Sequence, residues 1–190
     1  MTTFFRNMTL SILLALAPVS GVLAADDYAD TIEVFRNAGQ SGLFFERAYG
    51  YAVFPTIGKG GFFVGGARGK GRVYEQGKYI GDATMTQGTV GFQFGGQAYS
   101  EIIFFQDKAA LDAFTRGNFE LGAQAQAVAI TASASASATT TGASATAAAT
   151  QHDAASAGTY YKGTAIFTVA KGGLMYEASV GGQKFNYKPI

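Results

Sequence analysis

The sequence predicts an α+β domain that is mainly β: a curled, barrel-like antiparallel sheet with N-terminal helices and one short helix near residues 107–116. Three observations predict it. Several short runs alternate apolar with polar or glycine residues, the period of a half-buried strand. Gln76-Gly77, Gly95-Gly96, Gly172-Gly173 and Gly181-Gly182 separate those runs, as hairpin turns or as bulges that bend long strands into a curl. Helical spacing is confined to residues 26–54 and 107–116.

The chain opens with Arg6 and an apolar run, Met8 to Leu16, too short to span a bilayer. Pro18, Ser20 and Gly21 follow, then Val22-Leu23-Ala24 with modest or small residues at the −3 and −1 positions of a cleavage site. Residues 1–24 therefore read as a secretory signal peptide. The chain is expected to be exported to the periplasm or cell envelope of a bacterial host, or secreted. No cysteine is present, so neither a disulfide nor a lipid-bearing cysteine is available. Residues 25–190 have the length of a single domain.

Asp26, Asp27 and Asp30 complement a helix N-terminus, and Tyr28, Ile32, Phe35 and Ala38 share one face of that helix. Gly39 and Gly42 interrupt it. Leu43 to Ala52 is expected to form a second helix ending before Pro55, because the residue before proline avoids helical geometry. From Gly60 the period becomes two. Val90, Phe92 and Phe94 alternate with Gly91, Gln93 and Gly95. Ile102 to Phe105 is apolar on both parities and so is expected to be covered on both sides or to contact something greasy. Asp107 is a plausible cap for a helix that Gly117 ends. Ala129 to Ala138 alternates small residues as a strand can, and about 139–156 reads as a low-complexity Ala/Ser/Thr surface loop with too little bulk to offset ordering entropy. Leu174, Tyr176, Ala178 and Val180 alternate again, as do Phe185 and Tyr187 against Lys184, Asn186 and Lys188. Phe94-Gly95-Gly96-Gln97-Ala98-Tyr99 and Val180-Gly181-Gly182-Gln183-Lys184-Phe185 repeat one strand–turn pattern.

The full chain carries 14 Lys+Arg and 13 Asp+Glu; without Arg6 the remainder is 13 against 13. Such a balance argues against a nucleic-acid binder. Locally, however, Lys59, Arg68, Lys70, Arg72 and Lys78 face Glu75 alone, a balance of +4 inside a glycine- and aromatic-rich stretch. Two readings stay open: a solvated strand guarded against edge pairing by its cations, or a site for anionic head groups.

Catalytic patterns are missing. The single histidine, His152, lies in the low-complexity segment, so neither a His/Cys metal cluster nor a serine triad can be assembled. Gly39-Gln40-Ser41-Gly42 has the wrong spacing for a nucleophile elbow. Val64 and Gly71 stand where a phosphate-binding loop ending in Gly69-Lys70 needs glycine and Ser/Thr. Paired carboxylates drawn from Glu46, Glu75, Glu101, Glu120 and Glu177 are the remaining catalytic option, with no motif to support it.

The run Ala48-Tyr49-Gly50-Tyr51-Ala52-Val53-Phe54-Pro55, then Gly60-Gly61-Phe62 and Gly65-Gly66, with Gly172-Gly173-Leu174 and Ser179-Val180-Gly181-Gly182-Gln183 near the end, resembles the SYLF domain. That lipid-binding module occurs in eukaryotic endocytic adaptors and exported bacterial proteins, and the likeness spans about residues 27–188. The resemblance implies a β-rich domain with flanking helices that binds phospholipid and is not an enzyme. Two departures stand out. The family's eukaryotic members begin with a basic amphipathic helix, whereas Asp26-Asp27-Tyr28-Ala29-Asp30 is acidic. The Trp-Ser common in the family's hairpin is absent, and Tyr79 takes the aromatic place.

The resulting expectation is a non-enzymatic phospholipid-binding protein. Lys59, Arg68, Lys70, Arg72 and Lys78 would attract phosphate, arginine by forked hydrogen bonds and lysine as a point charge. Phe62, Phe63, Phe104 and Phe105 would meet acyl chains or line an apolar pocket. No cofactor, metal or nucleic acid is expected. The partner is a phospholipid or membrane surface, or alternatively an envelope protein paired to exposed strand edges.

Overall fold

The computed structural model describes residues 26–61, 64–90, 97–123, 125–130, 159–171 and 180–190. The expected signal peptide, Phe62, Phe63, Phe92, Phe94, the 139–156 loop and the glycine pairs at 95–96 and 172–173 lie outside the described residues.

Asp26 caps the first helix, α1 (Asp27–Asn37), its side chain accepting from the Tyr28 N–H at 3.2 Å, while Asp27 and Asp30 occupy the first turn. Phe35 and Ala38 are buried and Tyr28 and Ile32 half-buried, the face that their spacing predicts. Two single turns follow, α2 (Gly39–Gly42) and α3 (Phe44–Arg47). The second helix expected up to Ala52 is not formed. Ala48 is already extended, and β1 (Gly50–Gly61) begins ten residues before the expected change of period. Its first residues are apolar on both faces, which hides a two-residue period, and pairing on both sides then decides the conformation. Pro55 lies inside this strand, at a bulge where the register slips against both neighbours, so its missing N–H is tolerated. Its carbonyl accepts from Ser100 Oγ at 2.7 Å.

β2 (Val64–Glu75) and β3 (Lys78–Val90) form a long hairpin. Gln76 and Gly77 both have positive φ, 48° and 80°, as a two-residue type I′ turn requires. β4 (Gln97–Phe105) returns beside β1, and α4 (Lys108–Thr115) follows. Asp107 caps α4 by accepting from the Ala110 N–H at 2.9 Å, and Gly117 leaves it at φ 83°, both as expected. β5 (Phe119–Glu120), β6 (Val128–Ile130), β7 (Thr164–Lys171) and β8 (Lys184–Pro189) complete one eight-stranded sheet, ordered β5-β8-β3-β2-β1-β4-β7-β6. Every pairing is antiparallel except that of β6 with β7.

The sheet curls. Gln183, just before β8, hydrogen-bonds Tyr99 and Glu101 on β4, although three strands separate β8 from β4 in the sheet order. The rings of Phe54 of β1 and Phe185 of β8 meet at a tilt, with centroids 5.5 Å apart, across the same interior. Glycines on β2 make room for this. A Cβ on Gly71 would lie 2.5 Å from the Phe54 ring, and one on Gly69 2.6 Å from Ile57. The curl encloses one core, with Phe54, Met85, Ile103, Phe105 and Phe185 packed against Leu111 and Phe114 of α4. The outer side of β1, β4 and β7 carries a second core, where Val53, Ile102, Phe104 and Phe167 meet Phe35 and Phe44 of the N-terminal helices. Strand β4 is thus covered on both sides, as its sequence predicts.

Candidate functional site

The N-terminal helices cover only part of the outer face. Over β2, β3 and β8 that face is polar, and alternation decides what it displays. Along β2, Ala67, Gly69, Gly71 and Val73 point inward and Arg68, Lys70 and Arg72 outward. Cross-strand register extends the pattern into three rows: Arg68–Thr86–Lys184, Lys70–Thr84–Asn186 and Arg72–Asp82–Lys188. Successive rows stand about 7 Å apart, and the outer strands of the three about 10 Å apart. These residues line an open groove of about 970 Å³. Its five cations oppose Asp82 and Glu120, a local balance of +3.

The cations differ in how they are engaged. Arg72 pairs with Asp26 at 3.1 Å and lies 4.1 Å over the Tyr28 ring and 5.4 Å from that of Tyr79. Tyr79 in turn donates its hydroxyl to Asp82 at 2.8 Å, a bond that raises the phenol's pKa. Lys184 lies 3.7 Å from Glu120. Arg68, Lys70 and Lys188 hold no ion pair among the described residues. On β7, separated from β2 by β1 and β4, Lys171 reaches across to Thr56 Oγ1 of β1 at 2.8 Å.

The structure divides the nine residues singled out from sequence. Arg68, Lys70 and Arg72 share the groove. Lys59 pairs with buried Ala67, so it lies on the parity of the opposite face. Lys78 stands at the hairpin end, across from Glu75. Phe62 and Phe63 lie outside the described residues. Phe104 and Phe105, expected to meet acyl chains or line an apolar pocket, are both 0 % exposed, one in each core, so neither is at the surface to meet acyl chains. The physical reason is the two-sided covering of β4.

Sequence reasoning missed Lys184 and Lys188. Their alternation with Phe185 and Tyr187 gave the signal, but their membership of this face depends on β8 pairing with a strand about a hundred residues earlier. Among the described residues the scattered carboxylates do not assemble for acid–base work either, and Glu177 lies outside them. Glu75 accepts from Tyr49 OH at 2.7 Å, Glu120 lies beside Lys184, and Glu101 is sealed in the interior. Among the described residues no group of three or more metal-ligating side chains is found.

Two comparisons bear on this architecture. The Ysc84 family, described as Las17-binding protein actin regulators, matches residues 86–188, from the end of β3 through β8. Beta cell expansion factor A of Aeromonas veronii is 32% identical over 111 residues, a match covering 56% of this chain and 42% of that relative. The chain thus spans under half of the relative's length. The family match takes in β4, α4 and the β8 strand that completes the basic face, and on this basis the chain belongs to the Ysc84, or SYLF, family.

Proposed function

We propose that this chain is an exported, non-enzymatic phospholipid-binding protein that docks on anionic lipid through the basic face of β2, β3 and β8. The observation that carries this reading is the convergence of Arg68, Lys70, Arg72, Lys184 and Lys188 on one open polar face. Family membership is consistent with it, because the SYLF family is linked to lipid binding and is not known for catalysis. Arginine and lysine near an anionic surface contribute about 1 kcal/mol each, so a cluster of five supports reversible docking. Thr84, Thr86 and Asn186 supply neutral hydrogen-bonding groups between the cations.

Sedimentation with vesicles tests the reading. Strong binding to vesicles containing phosphatidylglycerol, weak binding to pure phosphatidylcholine, and loss of binding between 50 and 500 mM salt are the expected results, since exposed charges are screened within about 10 Å at 0.1 M salt. Equal binding to both vesicle types would overturn it. The family description also names a protein ligand. Pairing such a ligand to a sheet edge is the less favoured reading here, because the described edge strands β5 and β6 have only two and three residues.

The acidic start of α1 works against an incoming anion. Asp26 occupies Arg72, and Asp27 borders a second hollow that shares Arg68 and Lys70 with the groove. Asp26→Asn is therefore expected to raise affinity for anionic vesicles severalfold. Glu33→Gln, an equal charge change on an exposed part of the same helix, is expected to have a smaller effect. Equal effects would reduce the Arg72 contact to bulk electrostatics.

A further inference from the structure

We infer that Glu101 and Gln183 form a proton-operated clasp that holds the curled sheet closed. This inference is independent of any lipid role. Glu101 lies on the inner side of β4, between Phe54 of β1 and Thr168 of β7 in the paired register. It is 0 % exposed. Gln183 reaches it from the far side of the curl, donating from Nε2 to Glu101 Oε2 at 2.9 Å and to Tyr99 OH at 3.2 Å. The same turn is tied to β3 by Gln87, which donates to the Gly181 carbonyl at 2.9 Å.

Counting donors shows where hydrogens remain in the cluster. Both amide hydrogens of Gln183 are committed. Glu101 Oε1, Gln183 Oε1 and Thr168 Oγ1 are buried and have no hydrogen-bond partner among the described residues. An ionised carboxylate only adds acceptors to this set. A protonated one adds a donor to the hydroxyls of Thr168 and Tyr99, which hold the cluster's remaining hydrogens, and removes a charge from an apolar interior. The other titratable group of the cluster is the Tyr99 phenol, itself pushed far up by burial and by the Glu101 charge. Among the described residues no charged side chain acts on Glu101 from the elements packed against it. Its carboxyl is pushed up to about 7, chiefly by desolvation, with the Gln183 bond opposing.

The sign follows. The folded state holds this proton more tightly than the unfolded chain does, so stability is greatest below the ordinary carboxyl value. It declines as pH rises toward about 7 and levels off above. Thermal unfolding of the wild type should show a midpoint about 5–10 °C lower at pH 8.5 than at pH 5 from this group. Glu101→Gln, which mimics the neutral acid, should lack that component. Carbon-13 NMR of the Glu101 carboxyl in the wild type provides the second measurement and needs no variant. A midpoint near 7 supports the clasp. Titration between 4 and 5, or a folded Glu101→Gln variant whose stability falls with pH in parallel with the wild type, overturns it.

Discussion

Replacing Phe104 by alanine is expected to cost about 3–5 kcal/mol of folding stability. For a domain of this size that corresponds to a midpoint lower by roughly 10 °C or more. The ring is fully buried and lies within 4.9 Å of Phe45, 5.5 Å of Phe44, 5.9 Å of Phe167 and 6.1 Å of Tyr51. It therefore joins α3, β1, β4 and β7. Deleting it removes one side of several edge-to-face contacts and leaves a void that rigid strands on either side cannot fill. Thermal unfolding followed by circular dichroism measures the effect, and a shift below about 3 °C would contradict the placement of this residue. Vesicle binding by the variant, measured below its midpoint, should stay close to wild type, because no groove residue depends on Phe104 for its contacts. That separation distinguishes a core residue from a lipid contact.

The second large effect belongs to the groove. Arg68→Glu, Lys70→Glu and Lys184→Glu together are expected to lower affinity for anionic vesicles by at least 100-fold. Losing three favourable contacts of about 1 kcal/mol each accounts for roughly that factor, and reversal adds repulsion. Stability should change little, since these side chains point outward and replacements on exposed positions seldom move it by more than about 0.5 kcal/mol. Arg72 is left out on purpose. Its contacts with Asp26, Tyr28 and Tyr79 tie α1 to the sheet, so its loss would mix docking with folding.

Much of this fold is legible in the residues, and the exceptions have physical causes. Asp26 and Asp107 announce helix starts by their chemistry alone, and Gln76-Gly77 announces a hairpin because both residues adopt positive φ. The curl itself follows from glycines opposite Phe54 and Ile57, which sequence shows as glycines without showing what faces them. Residues 50–54 mislead because a strand buried on both faces has no alternation to display.

The candidate site divides along the same line. Arg68, Lys70 and Arg72 alternate within one strand, so local spacing is enough to group them. Lys59 is near them in sequence but reaches the sheet on the other parity, since the bulge at Pro55 and the strand register, not proximity along the chain, assign its face. Lys184 and Lys188 enter only through a long-range pairing. Glu101 shows the limit most clearly. Nothing in its neighbours along the chain reveals that a glutamine more than eighty residues away becomes its hydrogen-bond donor.

Affinity for vesicles of 30% phosphatidylglycerol, compared between two triple variants of equal charge change, tests the central claim most directly. One reverses Arg68, Lys70 and Lys184, and the other reverses Lys59, Lys78 and Arg116, all to glutamate. Docking through the β2–β3–β8 face requires the first variant to lose binding at least tenfold more than the second. Equal losses would show attraction by overall charge without a defined face, and a larger loss in the second would place the lipid contact elsewhere on the molecule.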